Sequence, residues 1–273
     1  MNRNIAFGQY YPTSSPIHKM DPRTKLFSAI IFIVAIFLCE SFYSYAVCYG
    51  FLLIVILVSR VPLLSILKTI KAVVFIVLFT FILNLFFYKE GEPLFSWWIF
   101  SMTLEGVFYS IKTALRIIFL VISTSMITFT TTPMALTDGM ESILSPLKKI
   151  KIPVHDIALI MSIALRFIPT LMEEVDKIIM AQKARGAHFD NGGLIKRAKA
   201  MLPIIIPLFV STFRRADELA MALDSRCYNA TENRTKMKSL KFGLVDLFGT
   251  LAVLAFLTVM ILFKVGIFGT FPI

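Results

Sequence analysis

The chain has 273 residues, 57% of them hydrophobic, with a formal net charge of +11 and a mean hydropathy of +0.78. That composition excludes an ordinary soluble domain and marks an integral membrane protein. The apolar residues form long runs rather than ten-residue alternating segments, which favours helices over an outer-membrane barrel and predicts an all-α membrane fold.

The first 25 residues are polar and rich in Pro and Ser, so no cleavable leader is expected. Two short apolar blocks follow, Leu26 to Leu38 and Tyr45 to Val58, separated by a polar break at Glu40–Ser44. Each is shorter than the ~20 residues of a full span, so the pair reads as a tight hairpin with snorkelling ends. After Arg60, Lys68 and Lys71 comes a third block, Ala72 to Tyr88. Lys89-Glu90-Gly91-Glu92-Pro93 reads as a turn-rich loop, and Trp97 and Trp98 as an interfacial aromatic belt. The fourth block covers Leu104 to Phe129. Lys112 and Arg116 lie in its first half and are expected to face protein rather than lipid. The last block is Leu244 to Phe263.

Between the fourth and fifth blocks lies Pro133 to Lys241, which holds 17 of the 28 Lys and Arg. Cytoplasmic loops carry such an excess. Arg3, Lys19, Arg23 and Lys25, and the loop with Arg60, Lys68 and Lys71, fall on the same side if there are five spans with a cytoplasmic N-terminus. The expected organisation is a four-span region over 1–132, cytoplasmic helices over 133–241 and a final span in 242–273. The basic excess therefore points to membrane topology, with the lipid bilayer as partner and no nucleic acid. Cys39, Cys48 and Cys227 lack metal or disulfide spacing, and His18, His155 and His188 show no ligand pattern, so no metal site is expected.

The cytoplasmic region is too apolar for a loop. After a short amphipathic helix at Met134 to Ile150, Val154 to Met180 reads as one long helix running on to Ala184, apolar nearly all round in its first half and amphipathic in its second. Asp190-Asn191-Gly192-Gly193 reads as a turn. A second long element, Leu194 to about Leu223, is interrupted by Pro203 and Pro207, which with Pro169 are expected to set bends. Arg166 sits amid apolar residues and reads as structural, pairing with Glu173, Glu174 or a chain terminus.

Both long elements end alike. Ala184-Arg185-Gly186 closes the first, and Ser225-Arg226-Cys227 closes the second 41 residues later. Each sets an arginine between small residues. Arginine offers a planar, permanently charged fork suited to a carboxylate, and small neighbours permit close approach. The plainer alternative is a cation offsetting the helix dipole, with Gly186 an ordinary C′ residue. The duplication favours two docking tips.

The stretch Ala181-Gln182-Lys183-Ala184-Arg185-Gly186 resembles the coupling motif of the transmembrane T component of energy-coupling factor (ECF) transporters. Ala164-Leu165-Arg166-Phe167-Ile168-Pro169, Leu202-Pro203 with Pro207, and Met20-Asp21-Pro22-Arg23-Thr24-Lys25-Leu26 support the resemblance, which covers nearly the whole chain. Ser225-Arg226-Cys227 departs from Ala-Arg-Gly but keeps the central arginine. The resemblance implies a multi-pass protein of the bacterial cytoplasmic membrane. It joins two cytoplasmic ABC-type ATPases to a small membrane-embedded S component that binds a vitamin or metal ion. It implies two long coupling helices that cross, with each tip in an ATPase groove, and no catalysis by this chain. ATP and Mg belong to the ATPases, and no cofactor is expected here.

On that reading Ala184, Arg185, Gly186, Ser225, Arg226 and Cys227 dock the ATPases. The apolar surface for the S component is expected at Ile157, Ile160, Met161, Ala164, Ile168, Ile204, Ile205 and Leu208, with Met161, Met172, Met180, Met201 and Met221 lending adaptability. The dissimilar tips favour two different ATPases. The chain has no Walker A sequence, and its spans lack the clustered acids or histidines of an ion relay. Glu40, Glu105 and Asp246 lie near span ends, far apart in sequence, and offer no acid–base cluster for a membrane enzyme. The alternative reading is a self-sufficient secondary transporter.

Overall fold

The computed structural model describes residues 10–88, 93–97, 100–151, 153–187, 189, 193–228 and 240–265. The turn at Asp190-Asn191-Gly192, the acidic loop at 89–92, Trp98, His188 and Arg3 lie outside the described residues.

The elements in chain order are α1 (Pro16–Lys19), α2 (Pro22–Phe37), α3 (Phe42–Ser59), α4 (Leu63–Phe87), β1 (Pro93–Trp97), β2 (Phe100–Thr103), α5 (Leu104–Thr130), α6 (Pro133–Leu144), a 3-10 turn (Ser145–Ile150), α7 (Val154–Ala184), α8 (Leu194–Ser225) and α9 (Leu244–Val265). The chain divides into two compact units. One is Met1–Ile152 with Leu240–Ile273, and the other is Pro153–Ser239. Thus α6, which the sequence grouped with the long helices, belongs to the first unit and packs on α2. Gly139 makes that approach possible, because a Cβ there would lie 2.9 Å from Pro22 Cβ.

Helix starts in the first unit follow their caps. Asp21 accepts from Arg23 N before Pro22, Ser41 from Ser44 N, Thr103 from Gly106 N, and Thr132 from Ala135 N before Pro133. The core is built from α2, α3, α5 and α9, around Phe32, Ile36, Cys48, Leu52, Phe119, Met126, Phe256 and Met260. Phe32, Phe51 and Phe256 stack at centroid distances of 5.6, 5.3 and 4.4 Å, an apolar hub joining α2, α3 and α9.

Among the described residues, five helices are long and apolar enough to cross a membrane: α3, α4, α5, α7 and α9. The set differs from the expected one. The first predicted span became α2, with 16 residues, about 24 Å at 1.5 Å per residue, shorter than a typical hydrocarbon core. Its place in that set is taken by α7, of 31 residues. The loop before the fourth span also holds more structure than expected. It carries an antiparallel hairpin pairing Phe95 with Met102 and Trp97 with Phe100.

Polar groups at the helix ends are tied across the bundle. Asp246 at the start of α9 accepts from Asp21 N at 2.7 Å, from the Thr24 hydroxyl at 2.8 Å and from Gly243 N at 2.8 Å. Lys25 Nζ donates to the Thr130 carbonyl at 2.8 Å and the Thr131 hydroxyl at 3.2 Å, closing the C-terminal end of α5. Within α5, Arg116 Nη2 donates to the Cys39 carbonyl at 3.2 Å just past α2, and Lys112 Nζ lies 5.2 Å from the centre of the Phe42 ring. Both cations face protein, as expected. Glu40 meets Lys264 at 3.4 Å.

The second unit is built on α7, of 31 residues, and α8, of 32. Both run unbroken through their internal prolines. A proline at position i frees the carbonyl at i−4, so Pro207 leaves the Pro203 carbonyl open. Gln182 Nε2 of α7 approaches that oxygen at 3.5 Å, the long end of a hydrogen bond.

Candidate functional site

The two tips have the same backbone geometry. At the first, Arg185 is the C-cap, with φ −85° and ψ 7°. Gly186 follows in the left-handed region at φ 84°. Gly186 N donates to the Lys183 carbonyl at 3.0 Å and Ala187 N to the Gln182 carbonyl at 3.0 Å. This is the paired bonding of a Schellman motif. At the second, Arg226 is the C-cap, with φ −93° and ψ 10°. Cys227 is left-handed at φ 51°. Cys227 N donates to the Asp224 carbonyl at 2.9 Å and Tyr228 N to the Leu223 carbonyl at 3.0 Å.

Gly186 is therefore a C′ residue, as the plainer reading had it, and Cys227 is its counterpart. No residue pattern signals this, because cysteine carries no preference for that conformation. Left-handed backbone crowds an L side chain by roughly 1–2 kcal/mol, so the second tip holds strain that the first avoids. A Cβ on Gly186 would meet nothing within 4 Å. The requirement for glycine within this chain is thus conformational and not steric.

Both arginines are exposed, and among the described residues neither guanidinium has a side-chain partner. The caps satisfy the last carbonyls through backbone N–H groups, which leaves each five-donor fork available to an outside acceptor. Ala184 is exposed, and the Ser225 hydroxyl is turned back to the Ala222 carbonyl at 3.0 Å. Cys227 is an exposed free thiol.

The expected apolar surface divides. Ile157, Ile160, Met161 and Ala164 are exposed and recur at helical spacing along one face of α7, and Ile205 is exposed on α8. Ile168 and Leu208 are half-buried. Ile204 is 8% exposed, buried within this chain. Of the methionines, 161, 180, 201 and 221 are exposed and Met172 is half-covered.

The pairing expected for Arg166 is also corrected. Glu174 instead meets Arg215 Nη2 of α8 at 2.9 Å and accepts from the Ser211 hydroxyl, while Arg166 is exposed. Sequence reasoning missed this contact because its partners lie on different helices.

The chain is similar to known proteins over most of its length. A family model described as cobalt transport protein, CbiQ, matches residues 13–237. The chain is 48% identical over 264 residues to the energy-coupling factor transporter transmembrane protein of Ruminiclostridium cellulolyticum, covering 97% of this chain and 98% of that one. The protein of the same name from Bacillus subtilis is 45% identical over 240 residues, covering 88% of this chain and 91% of its own.

The chain belongs to this family of ECF transmembrane proteins. As an ECF transmembrane component it is a multi-pass membrane protein and one part of a larger transporter. The self-sufficient secondary transporter is therefore set aside.

Proposed function

We propose that this ECF transmembrane component engages two ABC-type ATPases through Arg185 and Arg226 and transmits their ATP-driven motion to a separate S component that holds a vitamin or other micronutrient. The observation that carries this reading is the pair of exposed arginines at two matched helix caps, neither with a side-chain partner among the described residues. Ala184, Gly186, Ser225 and Cys227 flank the forks with little bulk. The exposed face of Ile157, Ile160, Met161 and Ala164 is the surface offered to the S component.

The N-terminus is cytoplasmic on this reading, with α2, α3, α4, α5 and α9 crossing the bilayer. Although short, α2 buries Phe32, Ala35 and Ile36 in the bundle core, whereas α7 belongs to the other compact unit and ends in a charged, amphipathic half. The chain supplies no catalysis.

The test is affinity purification of the tagged chain from its native membrane in mild detergent, with mass spectrometry of its companions. Near-stoichiometric ABC ATPases and a small hydrophobic protein are expected. Recovery of the chain alone, even after cross-linking, would overturn the reading.

A further inference from the structure

Between Ile204 and Leu223 the covered positions of α8 are Ile204, Leu208, Ser211, Arg215, Leu219 and Leu223, and every residue between them is exposed. This is a single seam at spacings of three and four, of the kind one helix presents to another. Its principal partner is α7. Four of the six positions are aliphatic. The two polar ones, Ser211 and Arg215, stand one turn apart on one face and both engage Glu174 of α7. The choice among neighbours is sharp. Glu173 and Arg214 are exposed, whereas the Arg215 and Glu174 side chains are only 35% and 20% exposed.

The position of this contact is equally specific. Arg185 lies 11 residues beyond Glu174, and Arg226 lies 11 residues beyond Arg215. Glu174 and Arg215 therefore occupy equivalent places in the two halves of the repeat, carry opposite charge, and meet. Each helix extends the same length past the meeting point, about 16 Å at 1.5 Å per residue. Sliding either helix by one turn would set Glu174 between Leu208 and Ser211, without its cation, or between Arg215 and Leu219, without its hydroxyl, so that one of its two polar partners is replaced by an aliphatic side chain. A polar contact in an apolar seam penalises wrong registers more than it strengthens the right one.

We infer that Glu174, with Ser211 and Arg215, is a register key that fixes where α7 and α8 cross and so sets the spacing of the two arginine tips. These are positioning residues, and their importance for transport rests on the docking reading above. The key itself is tested on the full chain with no ATPase present, so its failure is separable from a failure of docking.

Cys227 is exposed and Cys39 and Cys48 are buried. A nitroxide on Cys227 and a second on Lys183→Cys then report tip separation by pulsed electron spin resonance in lipid nanodiscs. One narrow separation is expected for the otherwise native chain. Glu174→Ala and Arg215→Ala are each expected to broaden it into several populations. Glu174→Gln keeps an acceptor for Ser211 and should fall between. The reversed pair, Glu174→Arg with Arg215→Glu, should restore one separation. Unchanged distributions in both alanine variants would overturn the inference, as would a reversed pair no narrower than either single reversal.

Discussion

The tips of α7 and α8 share one backbone path and differ in the residue that makes its sharpest turn. Gly186 takes a left-handed φ of 84° that glycine adopts freely, and Cys227 takes φ 51° against the preference of its side chain. The same bonds close both caps. Matching geometry from unlike residues shows that the cap and the central arginine are the shared features, and that the residues on either side of the arginine are where the halves differ.

The most forceful way to break the comparison is to remove what the tips share. Arg185→Glu combined with Arg226→Glu should abolish co-purification of the ATPases and uptake together. Each single Arg→Ala should weaken assembly by about 2–5 kcal/mol, the usual cost of stripping one partner from a buried charge pair. Wild-type assembly in the double reversal would sink the docking role.

Substitution at Gly186 separates the cap from the contact. Asparagine tolerates the left-handed region and alanine does so poorly. If the glycine serves only the turn, Gly186→Asn should assemble near wild type, while Gly186→Ala loses up to about 1–2 kcal/mol. Equal losses for both in a binding titration would instead show that a partner's surface sits where the added side chain goes.

At the second tip the same logic predicts a gain. Cys227→Gly relieves the left-handed strain at some cost in unfolded-chain entropy, for a net stabilisation of up to about 1 kcal/mol. It should appear as slower hydrogen exchange of the backbone amides at positions 227 and 228. Faster exchange would mean that the thiol makes a compensating contact. The smallest effect belongs to Ser225→Ala, which copies Ala184. The hydroxyl only returns to its own helix at Ala222, so thermal stability should rise by no more than about 0.5 kcal/mol with assembly unchanged.

Periodic and local features were legible in the sequence. The apolar blocks, the long helices ending at Ala184 and near Leu223, the protein-facing Arg116 and the cap role available to Gly186 all rest on short-range patterns. Contacts between distant segments were not. Asp246 looked isolated near a span end, yet it holds the start of α2 from 225 residues away. Glu174 had one candidate basic partner on its own helix, Arg166, and the structure gives it Arg215 on another. The membrane boundary fell between these cases. Hydropathy marks a block as apolar, but a 16-residue helix buried in a bundle and a longer helix in another unit cannot be ranked by composition alone.

The Asp246 contact also orders events during synthesis. The N-cap backbone of α2 and the Thr24 hydroxyl depend on a carboxylate made more than two hundred residues later. Phe256 and Met260 of the same late helix fill the hub around Phe32 and Cys39. The first long helix to leave the ribosome is thus the last to be completed, after the whole of Pro153–Ser239 has been made. A chain cut short before α9 would keep both arginine tips yet lack the piece that closes its membrane bundle.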